Sequence, residues 1–263
     1  MHVIQSVTAT HDRYLSTPLN SRQTTTEAYH LSRAAALFNQ KLSEPVQKRD
    51  CDALWATAVV LGVIGFCRID VSTPEDAWPL KEQPESSSLE WIKMSESKEV
   101  IWDITNPARP DSVFHDLGES YMSAFRGHAK QASGIEGIPP EFLELYGLDE
   151  SSTADNNPYF VAMHVVSRIL PMKWDRTLGV AFFAFLHMGP SFKRLLEQKD
   201  PRALLILTYW YAKVCHSVWY LERRAILECQ ATCLYLERYH SGETAILELL
   251  QFPKMCCGLL PSV

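Results

Sequence analysis

The segment Ala203 to Cys215 reads Ala-Leu-Leu-Ile-Leu-Thr-Tyr-Trp-Tyr-Ala-Lys-Val-Cys, and wound as a helix it is apolar on every side. A helix without a polar face belongs at the centre of a domain, covered all round by other elements. Two more apolar segments can flank it: Tyr159 to Ile169, and the run Phe182-Phe183-Ala184-Phe185-Leu186. The chain has the material for such a core. Its 263 residues sit at the upper end of what one hydrophobic core supports, and 46% hydrophobic against 21% charged residues is a globular balance. A single helical domain over 1–263 is expected.

Helix signals recur from end to end, and strand signals barely appear. Val3, Ile4, Val7, Thr8 and His11 place a helix over Met1 to Leu15, and Thr26 to Leu42 reads as a second, ended near Pro45. Ala53 to Cys67 is the third, with Asp50 or Asp52 placed to cap it. Residues 70–88, with their prolines and serine run, read as a loop. Leu89 to Ile104 follows as a helix closed by Asn106-Pro107. Asp111 is placed to cap the next, whose Val113, Phe114, Leu117, Tyr121 and Phe125 are spaced for one buried face.

Further on, Pro139-Pro140 opens a short helix that Gly147 ends, and Asn157-Pro158 starts one running to Leu170-Pro171. Trp174 to Met188 is strongly apolar and is broken by Gly189-Pro190. Asp200-Pro201 forms an N-cap and first-turn pair for the central helix. Trp219 to Tyr239 is the longest continuous helix. Ser241 is placed to cap the last one, Thr244 to Leu250, before Pro253. The sum is all-α: an irregular helical bundle of about ten helices around an apolar central helix.

Several function classes are disfavoured. A net charge of −6 argues against direct nucleic-acid binding, which rests on clustered Lys and Arg. Seven cysteines form no Cys-x-x-Cys pair, so neither a disulfide framework nor a structural zinc site is expected, and a reducing compartment, cytoplasmic or nuclear, fits better. Cys229 and Cys233 lie one helical turn apart without a His or Asp at ligand spacing, and read as small buried thiols. The apolar run Ala53 to Cys67 would reach only about 22 Å as a helix, short of a bilayer core, and reads as a buried helix. Dinucleotide, phosphate-loop, nucleophile-elbow and zinc-protease motifs do not occur. Neither a metal nor a cofactor is expected.

The stretch Pro201 to Leu221, opening Pro-Arg-Ala-Leu and ending Val218-Trp219-Tyr220-Leu221, resembles the regulatory domain of fungal zinc-cluster transcription factors of the sterol uptake control type. Other pieces agree in order. His2 and His11 carry a spacing similar to that of the family's first helix, Ala28-Tyr29-His30 and Ala34 to Leu42 resemble its second, and Leu89-Glu90-Trp91-Ile92 its Leu-x-Trp segment. Leu249-Leu250-Gln251-Phe252-Pro253 resembles its closing Trp-Pro, with Phe in place of Trp. The resemblance implies a helical domain that holds a sterol-like ligand in a hydrophobic cavity and dimerises. The family's six-cysteine DNA-binding part has no counterpart in the sequence, so DNA contact would come from a partner.

On this reading the ligand cavity lies between the helices Tyr159–Ile169, Leu178–Met188 and Ala203–Cys215. The expected lining is Tyr159, Met163, Phe183, Leu186, His187, Tyr209 and Lys213, with Trp219 and Tyr220 near one end. A buried Lys is costly unless paired, so Lys213 is expected to bury its stem and keep its ammonium in solvent. His187, Lys213 and His216 are the candidate catalytic or ligand-orienting groups. The first function they suggest is a stand-alone sterol- or terpenoid-binding domain. The alternative is an enzyme of secondary metabolism, a pericyclase in which the same cavity folds a polyene or terpenoid and one donor polarises a carbonyl. A third is an interaction subunit whose interior is filled by its own side chains.

Overall fold

The computed structural model describes residues 1–16, 22–81, 89–122, 134–172 and 188–261. Among them every regular element is helical and no strand occurs, as the hydrophobic periodicity predicts. The backbone gathers into two units: Met1–Asp70 with Ser86–Ser123, and Val71–Glu85 with Ala124–Val263.

The first unit contains α1 (His2–Ser16), α2 (Thr25–Leu42), α3 (Cys51–Cys67), α4 (Glu90–Thr105) and α5 (His115–Tyr121). Its centre is α3, on which α1, α2 and α4 all pack. With the turn Lys48–Asp50 ahead of it, α3 extends a helical run of 20 residues with mean hydropathy 1.6, enough by length and composition to cross a bilayer. Every α3 residue except Ala53 is nevertheless buried or half-buried against its neighbours. Of that run's most apolar window, 39% is buried within the protein. Trp55 meets Trp102 of α4 edge-on at 5.0 Å, and Val3, Ala34 and Ile64 join α1, α2 and α3 in a second cluster.

A charged contact joins α1 to α2. Thr24 caps α2 in a capping box with Glu27. Glu27 is itself buried and accepts two bonds from Arg13 of α1, at 2.8 and 3.2 Å, and one from Thr10.

Two capping expectations fail in this unit for one reason. Asp50 makes no cap bond, and Asp52 accepts instead from Arg109 at 2.6 Å, from Ser112 at 2.8 Å and from the Val113 amide at 3.2 Å. Burial works against the charge of Asp52, yet the hydroxyl, amide and guanidinium donors hold its carboxyl below the usual range. Asp111, the expected cap of α5, pairs with Lys48 and Arg109. These bonds hold residues 109–113 as turns, so α5 starts only at His115. Its inward face carries Gly118, pressed against Ala108, whereas Val113 and Leu117 are 80% and 61% exposed. Phe125, expected on the same buried face, lies outside the described residues.

The second unit contains α6 (Pro140–Tyr146), α7 (Phe160–Ile169), α8 (Gly189–Glu197), α9 (Pro201–Val214), α10 (Trp219–Tyr239), α11 (Thr244–Leu249) and α12 (Gln251–Cys256). From Ala203 to Val214 every residue of α9 is buried, and α7, α8, α10, α11 and α12 all pack against it. The apolar helix is the centre of this unit. Asp200 caps it, accepting from the Ala203 amide at 2.9 Å, with Pro201 at the first position.

One local expectation, the Ser241 cap, is corrected in the second unit, and two prolines additionally fall in the first turns of helices. Gly189-Pro190 begins α8: Gly189 takes φ +72°, and the proline then falls in the first turn, where its missing N–H costs nothing. Ser241 makes no cap, because the turn before α11 runs two residues further, to Glu243. Pro253 sits in the first turn of α12.

Candidate functional site

The described members of the expected cavity are in packed, hydrogen-bonded positions. Met163 is fully buried on α7, which packs directly on α9. The Tyr159 hydroxyl donates to the Asp200 carboxylate at 3.0 Å. The Tyr209 hydroxyl donates to the Leu249 carbonyl at 2.8 Å, and its ring stands edge-on to Phe142 at 5.1 Å. Trp219 and Tyr220 stand edge-on to each other at 5.7 Å, half-buried, in the first turn of α10. Phe183, Leu186 and His187 lie outside the described residues, as does the helix Leu178–Met188 except for Met188 itself.

Lys213 corrects the expectation of an ammonium in solvent. It is 5% exposed, and its Nζ donates at 2.7 Å to the carbonyl of Leu170, the residue that closes α7. The last carbonyls of a helix lack intrahelical partners and carry the negative end of its dipole, which makes them a buried cation's natural acceptor. Burial nevertheless pulls the amine below its ordinary value. His216 is exposed, and its Nε2 donates to the Cys256 carbonyl at 2.9 Å. His164 is buried and its Nε2 donates to the Gly134 carbonyl at 3.2 Å, with burial lowering its pKa.

An open cleft lies in the first unit, where α2 and α4 both rest on α3. Helix α2 presents Leu31, Ala35, Phe38 and Leu42 to it, a stripe at helical spacing. Ala58, Leu61 and Gly65 of α3 form the floor, and Met94, Lys98 and Ile101 of α4 the opposite wall. The cleft volume is about 570 Å³, within the range of small-molecule sites. Its polar groups are few: Asn39, Ser97, and the two cations Arg68 and Lys98.

Two glycines on α3 make room for α4. A Cβ on Gly65 would come within 2.6 Å of the Met94 sulfur. A Cβ on Gly62, one helical turn earlier, would come within 2.1 Å of the Lys98 Cε. The Lys98 side chain is therefore threaded into the helix crossing and is 5% exposed. Burial pulls its amine down to about 8. An amine with that value is mostly protonated at neutral pH and gives up its proton far more readily than a surface lysine.

In the sequence Lys98 is inconspicuous, because the surrounding Lys93-Met-Ser-Glu-Ser-Lys98 segment looks like a solvated helix face. The available signal was Gly62 and Gly65 within an otherwise bulky apolar helix, which marks a close approach by a neighbour. A second missed cluster is buried in α9 and α10: Arg224 and the Tyr211 hydroxyl both donate to the Glu228 carboxylate. Burial, partly offset by Arg224, raises the pKa of Glu228.

Compared with known protein families, with curated proteins and with solved structures, the chain matches none.

Proposed function

We propose that this chain binds a small hydrophobic molecule carrying one oxygenated group, of the sterol or terpenoid class, in the cleft between α2, α3 and α4. The observation that carries the reading is the cleft itself: about 570 Å³, walled by aliphatic and aromatic side chains, with two cations among a handful of polar groups. Apolar walls with few polar groups are what orient a mostly apolar ligand, the walls supplying affinity and the polar groups direction. Arg68 and Lys98 suit a carboxylate or carbonyl. The resemblance of Pro201 to Leu221 to sterol-sensing regulatory domains favours the same ligand class, through a different part of the chain. Dimerisation and a partner that supplies DNA contact are the further steps that resemblance suggests.

A thermal-shift series tests the proposal. A sterol and a carboxylated terpenoid should raise the melting temperature of the full chain by mass action. Ala35→Trp places an indole in the cleft from a half-buried position and should abolish the shift while leaving the unliganded melting temperature nearly unchanged. A shift that survives Ala35→Trp would move the ligand elsewhere, and no shift from either compound would sink the proposal.

The catalytic alternative draws on Lys98. Lys98 lines the cleft, and an ammonium there can donate to a carbonyl oxygen of a bound molecule, a bond that the low local dielectric strengthens. That is the one polarising group a pericyclic ring closure of a bound polyene or terpenoid requires. Turnover of such a substrate that Lys98→Met abolishes, with binding retained, separates catalysis from binding.

A further inference from the structure

In the second unit, α10 and the turn that follows α12 bring three thiols together. Cys229 and Cys233 stand one helical turn apart on α10, and Cys257 follows the last residue of α12. Their sulfurs all lie within 4.8 Å of one another. None of the three is in a disulfide, and all are buried, Cys257 retaining 3% of its surface and the other two none. In the sequence only the pair on α10 stands out, one helical turn apart. The third ligand arrives from a segment that local spacing cannot connect to it.

Three sulfurs at this separation can share one ion, and thiolate ligands select soft ones. Charge decides among them. Three thiolates around a monovalent ion leave a net charge of −2, and around a divalent ion −1. A buried charge needs a partner. The cation nearest in sequence, Lys254, is committed to Glu237 at 2.5 Å. The Cys229 sulfur faces the carbonyls of Thr208 and Pro253 at 3.7 and 3.9 Å, whose negative ends would oppose an anionic complex. A trivalent ion leaves no net charge. Coordination number points the same way. Among the described residues no imidazole or carboxylate joins the three sulfurs, whereas structural zinc requires four ligands.

We propose that Cys229, Cys233 and Cys257 form a binding site for a trivalent thiophilic ion of the arsenite class, held as a neutral three-sulfur complex. Arsenite is As(OH)3 in neutral water. Three As–S bonds form and three As–O bonds break. Each thiol proton leaves with a hydroxide, so three waters are released and no atom changes oxidation state. The bound ion links α10 to the C-terminal turn, so occupancy stabilises the second unit. The site is separate from the cleft of the first unit and independent of the function proposed for it.

The test uses the reduced full chain and inorganic arsenite. One arsenic per chain, three sulfur neighbours by X-ray absorption and a raised melting temperature are expected. Cys257→Ser should weaken binding by more than the roughly tenfold that loss of a supporting group costs. Cys256→Ser, at the adjacent position, and Cys67→Ser, in the other unit, should leave binding unchanged. The proposal is overturned by two sulfur neighbours in the wild-type protein, by equal loss in Cys256→Ser (a vicinal pair at 256 and 257), or by uptake no better than that of the urea-unfolded chain. Zinc that displaces arsenite at equal concentration would overturn the charge argument. Should Cys257→Ser fail to fold, the wild-type sulfur count decides alone.

Discussion

Gly62 lies directly beneath the end of the Lys98 side chain: a Cβ at position 62 would stand 2.2 Å from the Lys98 Nζ. The missing side chain on α3 is what lets α4 bury an amine in the helix crossing. Relieving or removing that burial has measurable consequences for stability and for its dependence on pH.

Gly62→Ala forces the flexible end of Lys98 out of the crossing and toward solvent. Alanine gains about 1 kcal/mol of helix propensity over glycine, which offsets the repacking. The expected outcome is a variant more stable than wild type at pH 7, by up to about 3 kcal/mol, because the Lys98 amine returns toward its ordinary value and its burial cost is lifted. Urea unfolding at pH 7.5 and 9.5 checks this. A steep alkaline rise retained by the variant would show that Lys98 had not moved.

Lys98→Met tests the burial directly. The folded-state value is about 8 and the ordinary value is 10.5, so the group is depressed. Between those limits the unfolded chain holds more protons than the folded one, and stability rises with pH across the window. The stability this group contributes is present above pH 10.5 and lost as pH falls through about 8. Below that the full burial cost applies, on the order of 3 kcal/mol. Lys98→Met should therefore be the more stable protein at pH 7, by about 2–3 kcal/mol, and should show no rise between pH 8 and 10. Equal stabilities at pH 7 would contradict it.

Arg13 and Glu27 join α1 to α2, and their removal should be asymmetric. Arg13→Ala leaves a fully buried carboxylate without its guanidinium, a loss of about 3–5 kcal/mol. Glu27→Gln keeps acceptors for Thr24 and Arg13 and should cost about 1–2 kcal/mol. Circular dichroism through a urea titration measures both. A smaller loss in Arg13→Ala than in Glu27→Gln would reverse the assignment of the buried charge.

Asp200→Ala removes both the cap of α9 and the acceptor of the Tyr159 hydroxyl. The cap alone accounts for about 1 kcal/mol, and the orphaned hydroxyl adds a comparable amount. Asp200→Asn, which can still accept both bonds, should recover most of that loss. Equal losses in the two variants would show that the charge, and not the hydrogen bonds, matters at this position.

What the sequence by itself determined is what depends on neighbours along the chain. Asp200-Pro201, Gly147 and the uninterrupted run Trp219 to Tyr239 were legible because capping bonds and helical periodicity span only a few residues. The apolar surface of α9 required a central position, and it has one. Where local signals competed, sequence could not choose: Asp52 had the chemistry of a cap, but three donors from residues 109–113 claimed it. Only the tertiary structure decided the candidate sites. The seat of Lys98 depends on how α4 crosses α3, the anchoring of Lys213 on where α7 ends, and the meeting of Cys257 with Cys229 and Cys233 on the return of the chain after α12. Such contacts are set by how whole helices pack, and packing depends on the combined shape of surfaces far apart in sequence.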